Sequence, residues 1–105
     1  MNLSASAAIS GVQVSLLRND VSANDIANIT TPGFSESTPQ QTGMQPAGTR
    51  ISSIIKTPND SVALSNTDLA AEMVEQNTNK NTLSANLAVL KTQDTMTGEV
   101  IDLLA

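Results

Sequence analysis

Acidic side chains are the residues of this chain best spaced for chemistry. Glu72 and Glu75 stand three apart, as do Glu99 and Asp102. In a helix that spacing puts both carboxylates of a pair on one face, where they could share a proton or a metal ion. The ordinary reading is a solvated acidic face, and little else in the sequence supports the chemical one. The 105 residues include no His and no Cys, so the usual nucleophile–base pairs and a thiolate zinc site are both missing. Lys80 and Lys91 sit among Asn, Thr and Leu, which suits a snorkelling side chain better than a Schiff base. No glycine-rich phosphate loop occurs. The sequons Asn2-Leu3-Ser4 and Asn28-Ile29-Thr30 lie in or beside a helical stripe and are read as chance. No catalytic residue, cofactor or metal is assigned, and the chain reads as a non-enzyme.

Composition narrows the class further. A net charge of −5 argues against a nucleic-acid partner and supplies no polybasic membrane anchor. No apolar run is long enough to span a bilayer. Met1 to Ile9 has neither a positive region nor a long apolar run, so it is not read as a cleavable secretory signal. There is one Phe and no Trp or Tyr. Aromatic rings supply much of the buried area of a round core. Ala, Val, Ile and Leu on their own suit helix seams. The isolated chain is expected to be marginal and to gain stability from partners.

The elements that carry these residues follow from periodicity. Leu3, Ala7, Ser10, Val14, Leu17, Val21, Asn24 and Asn28 alternate steps of four and three, the spacing of a coiled-coil seam. A second line, Ala5, Ile9, Val12, Leu16, Asn19, Ala23 and Ile26, lies almost opposite it. A helix with two stripes needs two sets of neighbours. The rest of the chain offers only one more long helix, so the second set is expected from other chains. Asn28 is read as a terminating residue and Asn24 as a register or backbone-binding residue. Thr31-Pro32-Gly33-Phe34 then fits a type II turn, with Pro32 second and Gly33 third.

The segment 34–63 is rich in Ser, Thr, Gln, Gly and Pro. Arg50 to Lys56 is its one convincing strand, Phe34 to Ser37 a weaker candidate, and Thr38 to Thr49 is expected to be a loop. A second helix is expected from Asn66 to Leu104. Ser65 and Asp68 would form a capping box, with Leu64 and Leu69 as a hydrophobic staple. Its seam reads Leu69, Met73, Gln76, Lys80, Leu83, Leu87, Leu90, Asp94, Thr97, Ile101 and Leu104. Asp94 and Thr97 interrupt it, and Met96, Val100, Ile101, Leu103 and Leu104 widen its last turns into an apolar face.

The fold expected is mainly α. A long N-terminal helix (1–30) and a long C-terminal helix (65–105) pair as an antiparallel coiled-coil hairpin, with a short irregular or β-hairpin segment (31–64) between them. The helices would be roughly 39 and 58 Å long. Closed at their ends, they set Leu3 to Asn28 beside about Lys80 to Leu104. Asn66 to Asn79 then overhangs, and the two termini meet at one tip.

Two stretches carry a family resemblance. Ile9-Ser10-Gly11-Val12-Gln13, Asp20-Val21 and Ala23-Asn24-Asp25-Ile26-Ala27-Asn28-Ile29-Thr30-Thr31-Pro32-Gly33-Phe34 resemble the N-terminal signature of the bacterial flagellar rod and hook axial proteins. Ser65 to Val74, followed by Asn86 to Asp94, resembles that family's C-terminal signature. The resemblance spans roughly two thirds of the chain. It implies a structural subunit of the basal-body rod, with terminal helices packed against other rod or axial subunits and against further copies of itself. It also implies export without a cleaved signal through the flagellar type III apparatus. The short middle segment leaves no room for the large outer domains of hook or distal rod proteins, which points to a short, proximal-rod-like member or a paralogue. Thr78, Asn79, Asn81 and Thr82 make the mid-helix more polar than the family pattern. The competing reading is an accessory or export-linked binding module that keeps these helices and joins no tube.

Overall fold

A computed structural model describes residues 2–60 and 64–104, with side chains described from Ala5 onward. The elements in order are α1 (Asn2–Ala27), β1 (Ser37–Gly43), β2 (Thr49–Lys56) and α2 (Leu69–Leu104). The chain is thus mainly helical, with a two-stranded antiparallel sheet between two long helices.

Helix α1 ends by satisfying its own freed carbonyls. Asn28 donates to Asn24 O twice, from its backbone N–H at 3.1 Å and from Nδ2 at 2.8 Å. The chain then turns at Thr31–Phe34. The Phe34 N–H donates to Thr31 O at 3.3 Å, and Gly33 takes a φ of 71°. Such a φ at the third turn position is the reason for a glycine there.

The stretch expected to be a loop, Thr38 to Thr49, is half strand. β1 pairs with β2 from Ser37↔Lys56 to Gly43↔Thr49, with a register shift between Gln40 and Gln41. Pro39 sits within β1, a position tolerated in a two-stranded sheet because every strand is an edge. Pro39 obscured this strand in the sequence, and the Gln and Thr around it lack the β-branched apolar alternation that marks β2. The hairpin tip closes through Met44 N–H donating to Gly48 O at 2.9 Å.

Helix α2 begins three residues later than expected. Asp68 is its cap: Oδ1 accepts the Ala71 N–H at 3.3 Å, and its carbonyl accepts the Glu72 N–H at 3.0 Å. Ser65 Oγ bonds only to Thr67, so the capping box does not form as read. Leu64 and Leu69 are both exposed, which removes the staple as well.

The hairpin lies back along α1. Ser37 N–H donates to Asp25 Oδ1 at 3.0 Å, Arg18 Nη1 to Pro39 O at 3.4 Å, and Thr49 N–H to Ser10 Oγ at 3.0 Å. Helix α2 runs antiparallel along another side of α1. Ser22 Oγ donates to Glu72 O at 3.2 Å, Arg18 pairs with Glu75 at 2.7 Å, and Gly11 faces Asn86. These pairs correct the expected register. α1 lies beside the first two thirds of α2, so the overhang is at the C-terminal end and not at Asn66 to Asn79. The molecule measures 67 × 24 × 14 Å, with a radius of gyration of 18.2 Å. A compact chain of this length would have about 13 Å. Its exposed surface is 6909 Å², against roughly 5600 Å² for a compact monomer of this mass. An open hairpin of this kind buries little.

Candidate functional site

The surface that α1 turns toward α2 is built from small and polar residues. Ala8, Gly11, Ser15, Arg18, Ser22 and Asp25 keep the four-three spacing, but along a line that neither expected stripe follows. Ser15, Ser22 and Asp25 are buried there. Opposite them, α2 presents Glu72, Gln76, Asn79, Leu83, Asn86, Leu90 and Gln93, with Glu72 and Asn79 buried. Half of the expected α2 line is kept, at Gln76, Leu83 and Leu90. The other half is displaced by one residue, from Met73, Lys80, Leu87 and Asp94 to Glu72, Asn79, Asn86 and Gln93.

The cause is steric. A Cβ on Gly11 would stand 2.5 Å from Asn86 Nδ2, so the absent side chain admits Asn86 into the interface. A periodicity count rewards bulk and charge contrast, and it passes over a line of Gly, Ser and Ala. This line was present in the sequence and could have been found by counting small residues at the same spacing.

The expected seam residues divide among several environments. Val14 is buried, Val21 is half-buried and Leu17 is partly exposed. Ser10, Val14 and Leu17 line a cleft that Met44 and Ile51 close from the β-hairpin side, and Val14 and Val21 also border clefts against α2, so this stripe meets β1–β2 as well as the edge of α2. One of the two neighbours required by the opposed stripes therefore comes from within the chain. The second stripe is largely open: Ile9 and Leu16 are exposed, while Val12 and Ile26 are half-buried. Asn24 is exposed and fixes no register in this hairpin, and Asn28 is half-buried at the helix end. On α2, Leu83 and Leu90 are half-buried. Leu69, Met73, Leu87, Ile101 and Leu104 are exposed, the last at 83%. Leu3 lies outside the described side chains. Pro32 and Gly33 sit at the exposed turn.

The outward faces are correspondingly apolar. Val74, Val89, Met96, Val100 and Leu103 join the exposed α2 residues above, and Ile54 and Ile55 add an exposed apolar pair on β2. Among the described residues only Ala8 and Val14 are buried hydrophobics, against six buried polar or charged residues. The polarity of an ordinary small domain is thus inverted along this hairpin. Between the helices a cleft of about 420 Å³ is lined by polar groups including Ser15, Thr82, Asn86 and Asn79. Ala7 and Val14 line it as well, so its wall is mixed polar and apolar.

A second feature sits where α1, the start of β1 and the first turn of α2 meet. Carboxylate oxygens of Asp25, Glu36 and Glu72 lie within 4.8 Å of one another. Asp25 is 0% exposed and Glu72 is 7% exposed. Asp25 accepts the Ser37 N–H. Glu36 is fixed through its backbone, its N–H donating to Asn66 Oδ1 at 2.7 Å and its carbonyl accepting from Thr57 N–H at 2.8 Å. Burial pushes the Asp25 carboxyl above its ordinary range, against the pull of the Ser37 N–H. Glu36 is pushed up to about 7, first by a hydrogen bond shared with Glu72 and then by burial.

The pairing read from spacing, Glu72 with Glu75, does not occur. Glu75 turns to Arg18, and Glu72 turns to two acids distant in sequence. No spacing rule links Asp25, Glu36 and Glu72, because only the folded hairpin brings them together. No protein-family model matches this sequence, and no curated protein matches it either.

Proposed function

We propose that this chain is a structural subunit of the bacterial flagellar basal-body rod, acting by helix packing and by assembly with itself and other axial subunits. It carries no catalytic residue on this reading, and it takes no cofactor, nucleic acid or small-molecule substrate. It reaches the rod through the flagellar type III export apparatus. The observation that carries the proposal is the inverted polarity of the hairpin. Ile9, Leu16, Leu87, Val100, Ile101 and Leu104 face outward, and polar residues face inward. Exposed apolar faces of this extent mark surfaces that other protein covers. The resemblance of Ala23 to Phe34 and Ser65 to Val74 to the rod and hook signatures supplies the identity of the assembly.

The antiparallel coiled-coil pairing of α1 and α2 belongs to the same proposal. It is supported by the four-three spacing of the residues that face one another, and it is completed by neighbouring helices on the outward faces. The direct test is Leu87→Asp in cells that depend on this gene copy. A carboxylate forced into a covered apolar face costs several kcal/mol. The expected outcome is loss of incorporation and of swimming while the chain is still made. Wild-type swimming overturns the assignment of that face. Deletion then separates the subunit from an accessory export-linked module. Loss of hooks and motility supports the subunit, and a partial or regulatory defect favours the module.

A further inference from the structure

The cluster at the hairpin junction presents a charge problem that the protein alone does not solve. Three acids converge from three elements: Asp25 from α1, Glu36 from the segment entering β1, and Glu72 from the first turn of α2. Every charged group facing them can be named. Arg18 of α1 is held by Glu75 of α2 at 2.7 Å and also reaches Pro39 O. Lys56 of β2 stands over the Phe34 ring at 5.8 Å and attracts Asp25 only at a distance. Asp68, the cap of α2, adds a further negative charge facing Glu36. No cation therefore pairs with the cluster directly among the described residues. Asp25 receives one backbone N–H, and the carboxyl of Glu36 shares its hydrogen bond with Glu72, inside the cluster.

Glu72 is more than nine-tenths buried, and its carboxyl lies within 4.8 Å of those of Asp25 and Glu36. Two buried carboxylates in contact cannot both remain ionised. A proton shared among the acids removes that repulsion.

We propose that Asp25, Glu36 and Glu72 form a proton-dependent latch. It locks the start of the β-hairpin and the first turn of α2 onto the end of α1 while protonated, and it loosens when the proton is lost. The backbone contacts around it define what moves. Ser37 N–H to Asp25, Ser22 Oγ to Glu72 O and Glu36 N–H to Asn66 Oδ1 all cross between elements at this point. Repulsion among the acids works against all three. The inference rests on the geometry of the hairpin, and it stands whether or not the chain is a rod subunit.

The sign follows from linkage. Glu36 has an ordinary value of 4.5 and is raised to about 7 in the folded chain, and Asp25 is raised as well. A group raised on folding contributes its full stabilisation below the ordinary value and loses it as pH rises through the folded value. The latch therefore holds in mild acid and weakens toward neutral pH and above. This direction is opposite to that of a salt-bridged carboxylate, which loses stability on acidification.

The test is unfolding of the full chain followed by far-ultraviolet circular dichroism between about pH 5 and about pH 8, at fixed protein concentration and ionic strength. The folding equilibrium of the native sequence should weaken on the order of ten- to a hundredfold across that window. E36Q keeps the size of the side chain, cannot ionise and supplies an N–H donor, so its profile should be clearly shallower than the native one, with only the Asp25 contribution left. E72Q should behave alike, which guards against a fold-specific failure of one variant. E99Q removes one charge far along α2 and should keep the native slope, separating the latch from the general acidity of the chain. A native slope retained in both E36Q and E72Q overturns the proposal, as does helicity that ignores pH altogether. Abolition of the slope by millimolar Ca²⁺ or Mg²⁺ also overturns it, in favour of a cation as the neutralising species.

Discussion

The two sides of α2 obey opposite rules. Its inward side puts Glu72, Gln76, Asn79 and Asn86 against Ser22, Arg18, Ser15 and Gly11. Its outward side puts Met73, Val74, Leu87, Val89, Val100 and Ile101 into solvent. Burying apolar area is the main force available to a small domain, and here most of that area is held back from the chain's own interior. The inward contacts are specific but yield little: a helix-to-helix ion pair, a serine bond to a backbone carbonyl, and a glycine that admits an amide. The inward side sets the geometry of the hairpin, and the outward side holds the free energy that another chain could release.

Substitutions on each side sharpen that contrast, and the largest effect belongs to the inward side. Gly11→Leu drives a branched side chain into Asn86 and should destabilise the hairpin by about 1–3 kcal/mol in urea unfolding. An unchanged midpoint would mean that α1 and α2 do not approach at Gly11. Next comes the start of α2. Asp68→Ala removes the cap and should cost about 1 kcal/mol, while Ser65→Ala should cost only a few tenths. The reverse ranking would restore Ser65 as the cap.

Gly98 supplies the outward counterpart of Gly11. Nothing stands within 4 Å of a Cβ placed there, so Gly98→Ala should stabilise the isolated chain by up to about 1 kcal/mol through helix propensity alone. A loss in thermal midpoint would reveal a close neighbour at that position. The smallest effect belongs to Leu87→Asp measured on the isolated chain. Leu87 is half exposed, so stability should change by no more than about 0.5 kcal/mol. A large loss in isolation would return Leu87 to the internal interface and dissolve the distinction between the two sides.

Much of the fold was legible because punctuation in this sequence is strong. Asn28, Pro32 and Gly33 mark the end of α1, and Arg50 to Lys56 has the β-branched content of a strand. β1 was obscured because Pro39 and the surrounding Gln and Thr resemble a loop until β2 is there to pair with them. On α1 the residues that face α2 lie along a line that neither apolar stripe follows. Apolar periodicity passed over the small and polar residues that the two helices turn toward each other. Val14 and Leu17 line a cleft against the hairpin, while Leu87 and Ile101 are exposed. The register was misjudged because aligning helix ends assumes that both helices are fully paired, whereas Ser22–Glu72 and Gly11–Asn86 leave the end of α2 free. The acid cluster lay beyond any spacing rule, since the turn at Pro32–Gly33 and the hairpin are what bring Glu36 between Asp25 and Glu72.

The central claim is that the apolar outward faces need other chains. Its most direct test is circular dichroism of the purified chain over a wide concentration range, with sedimentation on the same samples. The account predicts low helicity at low concentration, rising together with mass. Full helicity in a monomer at the lowest concentration would contradict it, because the polar inward face would then sustain the hairpin unaided.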